Sequence, residues 1–247
     1  MRLTKDVHLV GGGDYGFGLT HRLDCHTYLI DGGSELALID TGFASDAAEI
    51  LQLIRDDGFD PADIGTIVIT HYHADHVGGS AAMRRATGAR VWAGVEVAPY
   101  IRVADADQIG LNWAKQFGFY PADYEWLPCE VDEEFSDGTR IPVGELELEL
   151  VATPGHCMGH YCVRMVGRDR TYMFSSDCVF WGGAIILQNV KDSNLQEYAA
   201  SCNRLAELEW DALLPGHHMI SLRNGHRHAE TAANEFNRIG LPKDLLR

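Results

Sequence analysis

The run His71-Tyr72-His73-Ala74-Asp75-His76 places four metal-capable side chains within six residues. In His71-x-His73 a single residue separates the imidazoles, so in an extended loop both can face one ion. Asp75 and His76 come where the chain begins to turn into a helix, which redirects them from the first pair and lets them serve a second ion nearby. Imidazole nitrogen and carboxylate oxygen suit zinc, with manganese or iron as alternatives. Directly after a buried strand, such groups would be costly in a core without a metal to satisfy them. The competing reading is a histidine-rich surface loop, and residues elsewhere in the chain must decide between the two.

Three further polar residues have the same local setting. They are His156 in Thr153-Pro154-Gly155-His156, Asp177 in Phe174-Ser175-Ser176-Asp177, and His217 in Leu214-Pro215-Gly216-His217. Each follows an apolar strand-like stretch, where an α/β sheet usually presents its functional groups. With the first run they make five histidines and two aspartates, enough for two ions and a water.

The elements that must position these residues can be read from pattern. Cys25 to Ile30 and Glu35 to Ile39 read as strands joined by the tight turn Asp31-Gly32-Gly33-Ser34. A helix is expected from the cap Ser45, with Ile50, Leu51 and Ile54 on one face, stopping at Gly58. Thr66 to Thr70 is short and apolar, as for a strand covered on both faces, and His71 follows it. His76 to about Ala86 reads as one helix despite Gly78 and Gly79, and Arg90 to Ala93 as a strand. Residues 96–128 read as an insertion of one or two helices rich in aromatics. Glu145 to Val151, Tyr161 to Val166, Thr171 to Phe174 and Ala212 to Leu214 read as strands, with helices over Asn194 to Leu208 and Gly225 to Ile239. This alternation predicts a layered α/β protein.

In order and spacing, the motifs resemble the metallo-β-lactamase-fold hydrolases, in the dinuclear branch with a bridging aspartate that is similar to glyoxalase II and lactonases. The resemblance runs over about residues 25 to 220. It implies an αββα four-layer sandwich, one domain over residues 1–247, with metals at one edge of two facing sheets. It also implies that His71, His73 and His156 hold the first of two divalent ions, that Asp75, His76 and His217 hold the second, and that Asp177 bridges them. Asp40, in Ile39-Asp40-Thr41-Gly42, matches the family's early aspartate, which supports the ligands from behind. His160 falls where the family often has a second histidine that braces the loop. The implied chemistry is a water held between two ions that loses a proton near neutral pH and attacks a carbonyl or phosphoryl centre, with Asp75 orienting it as the catalytic residue.

Within the family the residues favour a small carboxylic ester, lactone or thioester as substrate. β-Lactamases of this fold usually have cysteine or serine near the position of Asp177, which makes a β-lactam amide the alternative. Sulfur dioxygenases use one iron and lack part of the second ligand set, whereas Asp75, His76 and His217 are all present here. A mononuclear-iron or non-hydrolytic redox protein is therefore the alternative from a different class. Lactonases often have tyrosine three positions after the bridging aspartate, and here that position is Phe180. Arg223 is close after His217, but the basic cluster of a glutathione-binding thioesterase is thin.

Composition excludes other classes. With 20 Lys+Arg against 36 Asp+Glu the formal charge is -16, so phosphate backbones and anionic lipid are expected to be repelled, leaving a small molecule as substrate. No stretch approaches the roughly 18 apolar residues of a membrane span, which predicts a soluble, cytoplasmic protein. The six cysteines form no C-x-x-C pair and read as small buried hydrophobes.

For the other histidines the structural reading leads. His218 is expected to point away from the site, His226 and His228 to begin an exposed helix, and His8, His21 and His26 to be uninformative, with His21 in a loop that could reach the pocket. Gly11 to Gly18 lacks the strand-to-helix context of a phosphate loop and reads as a hairpin or flap. Phe180, Trp181, Tyr100 and Trp113 are candidate pocket walls, and the aromatics of 96–128 could instead cover the core or form a homodimer contact.

Overall fold

The computed structural model describes residues 1–188 and 190–246. Two sheets flanked by helices organise the chain, which divides into two compact units, Met1–Phe135 with Val143–Glu145, and Ser136–Pro142 with Leu146–Arg247.

The first unit holds a six-stranded sheet whose strands lie in chain order: β1 (Val7–Gly11), β2 (Thr27–Asp31), β3 (Leu36–Ile39), β4 (Ile64–Ile69), β5 (Arg90–Gly94) and β6 (Glu133–Phe135). The first three are antiparallel neighbours. The turn between β2 and β3 is held by Gly33 N–H on Asp31 Oδ1 at 2.9 Å. From β3 to β6 the pairing is parallel, which requires crossovers. These are α1 (Ala48–Asp56), then α2 (Ala74–Val77) with α3 (Ser80–Thr87), then α4 (Ala98–Val103) with α5 (Leu111–Gln116) in the insertion. In central β4, Ile67, Val68 and Ile69 are wholly buried, each stabilising the sheet by about 1.5–3 kcal/mol.

Two expectations need correction. Ser45 does not cap α1. The helix begins at Ala48 after a left-handed Ala47, because Ala44 N–H is already bonded to Asp24 Oδ1 and Asp46 Oδ1 takes Ala48 N–H instead. Nor is 76–86 one helix. It breaks between α2 and α3 at Gly78 and Gly79, where a side chain at 78 would collide with Phe43 O and Tyr124 Oη, and one at 79 with Thr41 O. The glycines let the 41–43 backbone approach, and Gly79 N–H bonds to Gly42 O at 3.0 Å. Strands β1 and β6 are not among those read from the sequence: β1, Val7-His8-Leu9-Val10-Gly11, is a short apolar run leading into a glycine series, and β6 is short and charged.

The second unit is built on β7 (Arg140–Val143), β8 (Leu146–Ala152), β9 (Tyr161–Val166), β10 (Thr171–Ser176) and β11 (Ala212–Pro215), in the order β11-β10-β9-β8-β7. β8, β9 and β10 are antiparallel, and β11 joins parallel to β10 after α6 (Leu195–Glu207). Leu146, Leu148 and Leu150 point inward, while Glu149 pairs with Arg164 at 3.0 Å. Asn194 caps α6 through Gln196 N–H and Glu197 N–H. This helix and α7 (His226–Asn237) share a core with Met173, Trp210 and Leu213. Among the described residues no helix is long and apolar enough to cross a membrane.

Candidate metal centre

The candidate ligand segments follow the carboxyl ends of β4, β8, β10 and β11. In the first unit, β4 delivers Thr70 and His71, and the turn into α2 delivers His73, Asp75 and His76. The His71 ring centroid lies 4.8 Å from that of His73 and 4.1 Å from that of His76. Asp75 Oδ2 is 3.7 Å from His76 Nε2.

Behind this cluster, Asp40 sets the tautomers. Its Oδ1 accepts from Thr70 N–H at 2.8 Å, and its Oδ2 accepts from the Thr70 hydroxyl and from His76 Nδ1, each at 2.8 Å. Since the Thr70 hydroxyl spends its proton on Asp40, its oxygen accepts from His71 Nδ1 at 3.1 Å. Both rings therefore carry hydrogen on Nδ1 and keep the Nε2 lone pair for a cation. Cys25 lies beside this network, with a donor atom of each of Cys25, Asp40 and His76 within 4.8 Å of one another. Burial pushes its thiol up to about 12, so it stands there as a neutral S–H.

In the second unit, Asp177 Oδ2 lies 3.5 Å from His156 Nε2 and 3.7 Å from His217 Nε2. One carboxylate oxygen is thus placed between two imidazoles. Its loop is clamped from the main chain. Asp177 N–H donates to His160 Nε2 at 3.2 Å, which leaves His160 Nδ1–H to donate to Thr153 Oγ1 at 2.9 Å. The Cys162 thiol donates to Ser175 O at 3.4 Å, so the Thr153 hydroxyl donates to Cys162 Sγ at 3.2 Å. His160 thus uses both ring nitrogens on protein groups. The Asp177 carbonyl accepts from Tyr198 Oη at 2.6 Å, and Tyr198 Oη accepts from Ile186 N–H at 3.4 Å.

Three of the left-handed non-glycine residues lie beside these groups. Asp40, Ser176 and His218 hold φ of 60°, 45° and 67°, each costing on the order of 1–3 kcal/mol for a residue with a side chain. Gly155 has φ of 133°, and a side chain there would strike the Tyr198 backbone. The glycine lets α6 come close enough for Tyr198 to reach Asp177.

The candidate pocket residues are placed unequally. Phe180 is wholly buried and stacks with His217 at 6.4 Å. Trp181 is 44% exposed and lies over the His228 ring at 4.5 Å. His228 Nδ1 accepts Gly182 N–H at 3.0 Å, and burial, with charge from His226, holds its pKa below the usual imidazole range. Tyr100 meets the buried Tyr72 edge-on at 6.3 Å, and Trp113 pairs with Phe117 on the surface of the first unit. In the glycine-rich segment, Gly13 N–H and Asp14 N–H bond to Asp24 O and Arg22 O as in a hairpin, and Phe17 covers His26 at 5.4 Å. Sequence reading missed Thr70, Thr153, Tyr198 and Tyr120. Thr70 and Thr153 had a usable signal, since each lies in a ligand motif.

Within each unit the donors are of a kind that fits a divalent cation. Imidazole lone pairs turned away from Asp40 and a carboxylate oxygen between two more imidazoles are borderline-soft N and O ligands of the kind zinc takes.

A family model described as the Metallo-beta-lactamase superfamily matches residues 22–217. A hydroxyacylglutathione hydrolase from Polaromonas sp. is 34% identical over 159 residues, covering 64% of this chain and 49% of its own. The acyl-coenzyme A thioesterase MBLAC2 from Gallus gallus is 26% identical over 198 residues, covering 76% of this chain and 68% of its own. The chain spans 49–58% of the length of three curated relatives it matches. Among solved structures, a Cronobacter sakazakii metallo-beta-lactamase with a HARLDQ motif shares the fold with a TM-score of 0.74 at 21% identity, covering 97% of this chain and 96% of that one. By a match that covers most of its length and by its mixed α/β fold with two helix-flanked sheets, this chain belongs to the metallo-beta-lactamase superfamily.

Proposed function

We propose that this protein is a hydrolase that uses two divalent ions, zinc foremost, to cleave a small carboxylic ester, lactone or thioester. In this reading His71, His73 and His156 hold one ion, Asp75, His76 and His217 the other, and Asp177 binds both. The observation that carries it is Asp177 Oδ2, 3.5 Å from His156 Nε2 and 3.7 Å from His217 Nε2. An oxygen nearly equidistant from nitrogens assigned to different ions is what a bridging ligand requires. The superfamily fold implies divalent metal binding, and the names of the two relatives support hydrolysis and favour a thioester.

Bound ions would lower the pKa of a coordinated water and polarise the carbonyl oxygen of the substrate. The protein groups do the remaining work. Asp40 keeps the His71 and His76 lone pairs on Nε2, and Asp75 would orient the attacking water beside the ions and shuttle its proton. Trp181 and Trp113, the more exposed of the candidate pocket aromatics, are proposed to meet the substrate, with Phe180 backing His217 and Tyr100 backing Tyr72.

The test is metal analysis with a panel of thioesters, lactones, β-lactams and phosphodiesters on wild type and Asp75→Ala. Two equivalents of metal and a thioester, ester or lactone rate lost in Asp75→Ala support the reading. A single iron with oxygen uptake, or an undiminished rate in Asp75→Ala, sinks it.

A further inference from the structure

A hydrogen bond joins the aromatic insertion to the ligand run. Tyr120 Oη donates to Asp75 Oδ1 at 2.7 Å, across 45 residues of sequence. The other carboxylate oxygen, Oδ2, is the one near His76 Nε2, at 3.7 Å. The two oxygens of Asp75 are thus divided, one facing a phenol and one facing the side of the imidazole that Asp40 leaves as a lone pair.

The phenol is held in place. The Tyr120 ring stacks on Phe43 with centroids 5.3 Å apart and planes at 12°, and Phe43 also stacks on His21 and on Tyr124. Phe43 is anchored at its N–H by Asp24 Oδ1 at 2.7 Å and at its carbonyl by the Tyr124 hydroxyl at 3.1 Å. Lys115 Nζ bonds Tyr124 O at 2.7 Å, tying the end of α5 to the same assembly. A column of rings rooted beside α2 therefore presents one hydroxyl to one oxygen.

We infer that Tyr120 is a positioning residue for Asp75, fixing Oδ1 so that the carboxylate offers a single oxygen, Oδ2, to the second ion. This rests on the two-ion reading above. The insertion thereby takes part in metal binding in addition to any part in shaping a pocket, and the same ring column transmits the placement of His21 and Phe43 to the ligand. Outer-shell partners of this kind typically tune metal affinity by about 10- to 100-fold.

The test compares wild type, Tyr120→Phe and Phe43→Leu by zinc titration against a chromophoric chelator and by visible absorption of the cobalt-loaded proteins. Tyr120→Phe keeps the ring stack and removes only the hydroxyl. The expected result is one site of unchanged affinity, a second weakened by about 10- to 100-fold, an altered cobalt spectrum, and an unchanged thermal midpoint of the metal-free protein. Phe43→Leu, which keeps the hydroxyl but loosens its support, should fall between. Two wild-type affinities in Tyr120→Phe overturn the inference while leaving the two-ion reading intact. Equal weakening of both sites with a lowered metal-free midpoint marks the hydroxyl as a general brace and overturns it as well. Uptake of only one ion by wild type removes both readings.

Discussion

His76 Nδ1 donates to Asp40 Oδ2 at 2.8 Å, and neither side chain is appreciably exposed. An acceptor at that position fixes the imidazole proton on Nδ1 and leaves Nε2 as a lone pair. In Asp40→Asn the amide would present N–H to the ring or lose one of its three donors, so His76 is expected to change tautomer. Asparagine tolerates the left-handed backbone that Asp40 adopts, so the effect should come through the side chain. Zinc affinity, measured by competition with a chelator, should fall by about 10-fold or more. An unchanged affinity would show that the ring orientation is set by packing alone.

Tyr198 joins α6 to the loop that carries Asp177. Tyr198→Phe leaves the buried Asp177 carbonyl and Ile186 N–H without the hydroxyl they share. Chemical denaturation of the metal-free protein should show a loss of about 1–3 kcal/mol. A change within error would mean that water replaces the phenol.

Asp24 gives a pH dependence of defined sign. Burial pushes its carboxyl above the usual 3.8, against the opposing pull of the Thr20 hydroxyl, the Phe43 and Ala44 N–H groups and His21. The native state then holds this proton more tightly than the unfolded chain. The contribution is fully present below the ordinary carboxylate value and is lost as pH rises through the raised one. Asp24→Asn should remove that slope, so the variant gains on wild type as pH climbs through the window and keeps a constant advantage above it. Urea titrations of both proteins from about pH 4 to pH 7 check this. A parallel pair of curves would assign the slope to other groups.

All six cysteines are buried and unpaired in disulfides. Burial raises Cys25, and hydrogen bonds with Cys162 and Cys202, together with burial, push Cys178 well above the usual thiol range. Native protein should therefore react slowly with a thiol-exchange reagent at neutral pH and release the full six equivalents only on unfolding. Rapid titration of one thiol in the folded state would locate a local opening.

Much of the candidate site was legible because its residues end strands. The fixed positions of His71, Asp177 and His217 just past buried apolar runs expose them in the one-dimensional pattern. The supports were legible only where they share those motifs, as Thr70 and Thr153 do. Tyr198 and Tyr120 act on Asp177 and Asp75 across 21 and 45 residues, and no local periodicity records such a meeting. The helix misread over 76–86 has the same origin. Helical propensity tolerates a glycine pair, whereas the close approach of Thr41 and Phe43 that breaks the helix is tertiary.

The left-handed turns at Ser176 and His218 bear on how this protein could be hardened. Glycine reaches such backbone angles without steric cost, so a library screened only for heat resistance should be drawn to these two positions, each next to a proposed ligand. Robustness and the aim of the neighbouring side chain are therefore selected at the same residues. A thermally improved variant changed there has to be scored for metal retention as well as for its midpoint, since the substitution that relaxes the chain also frees the strand end to wander.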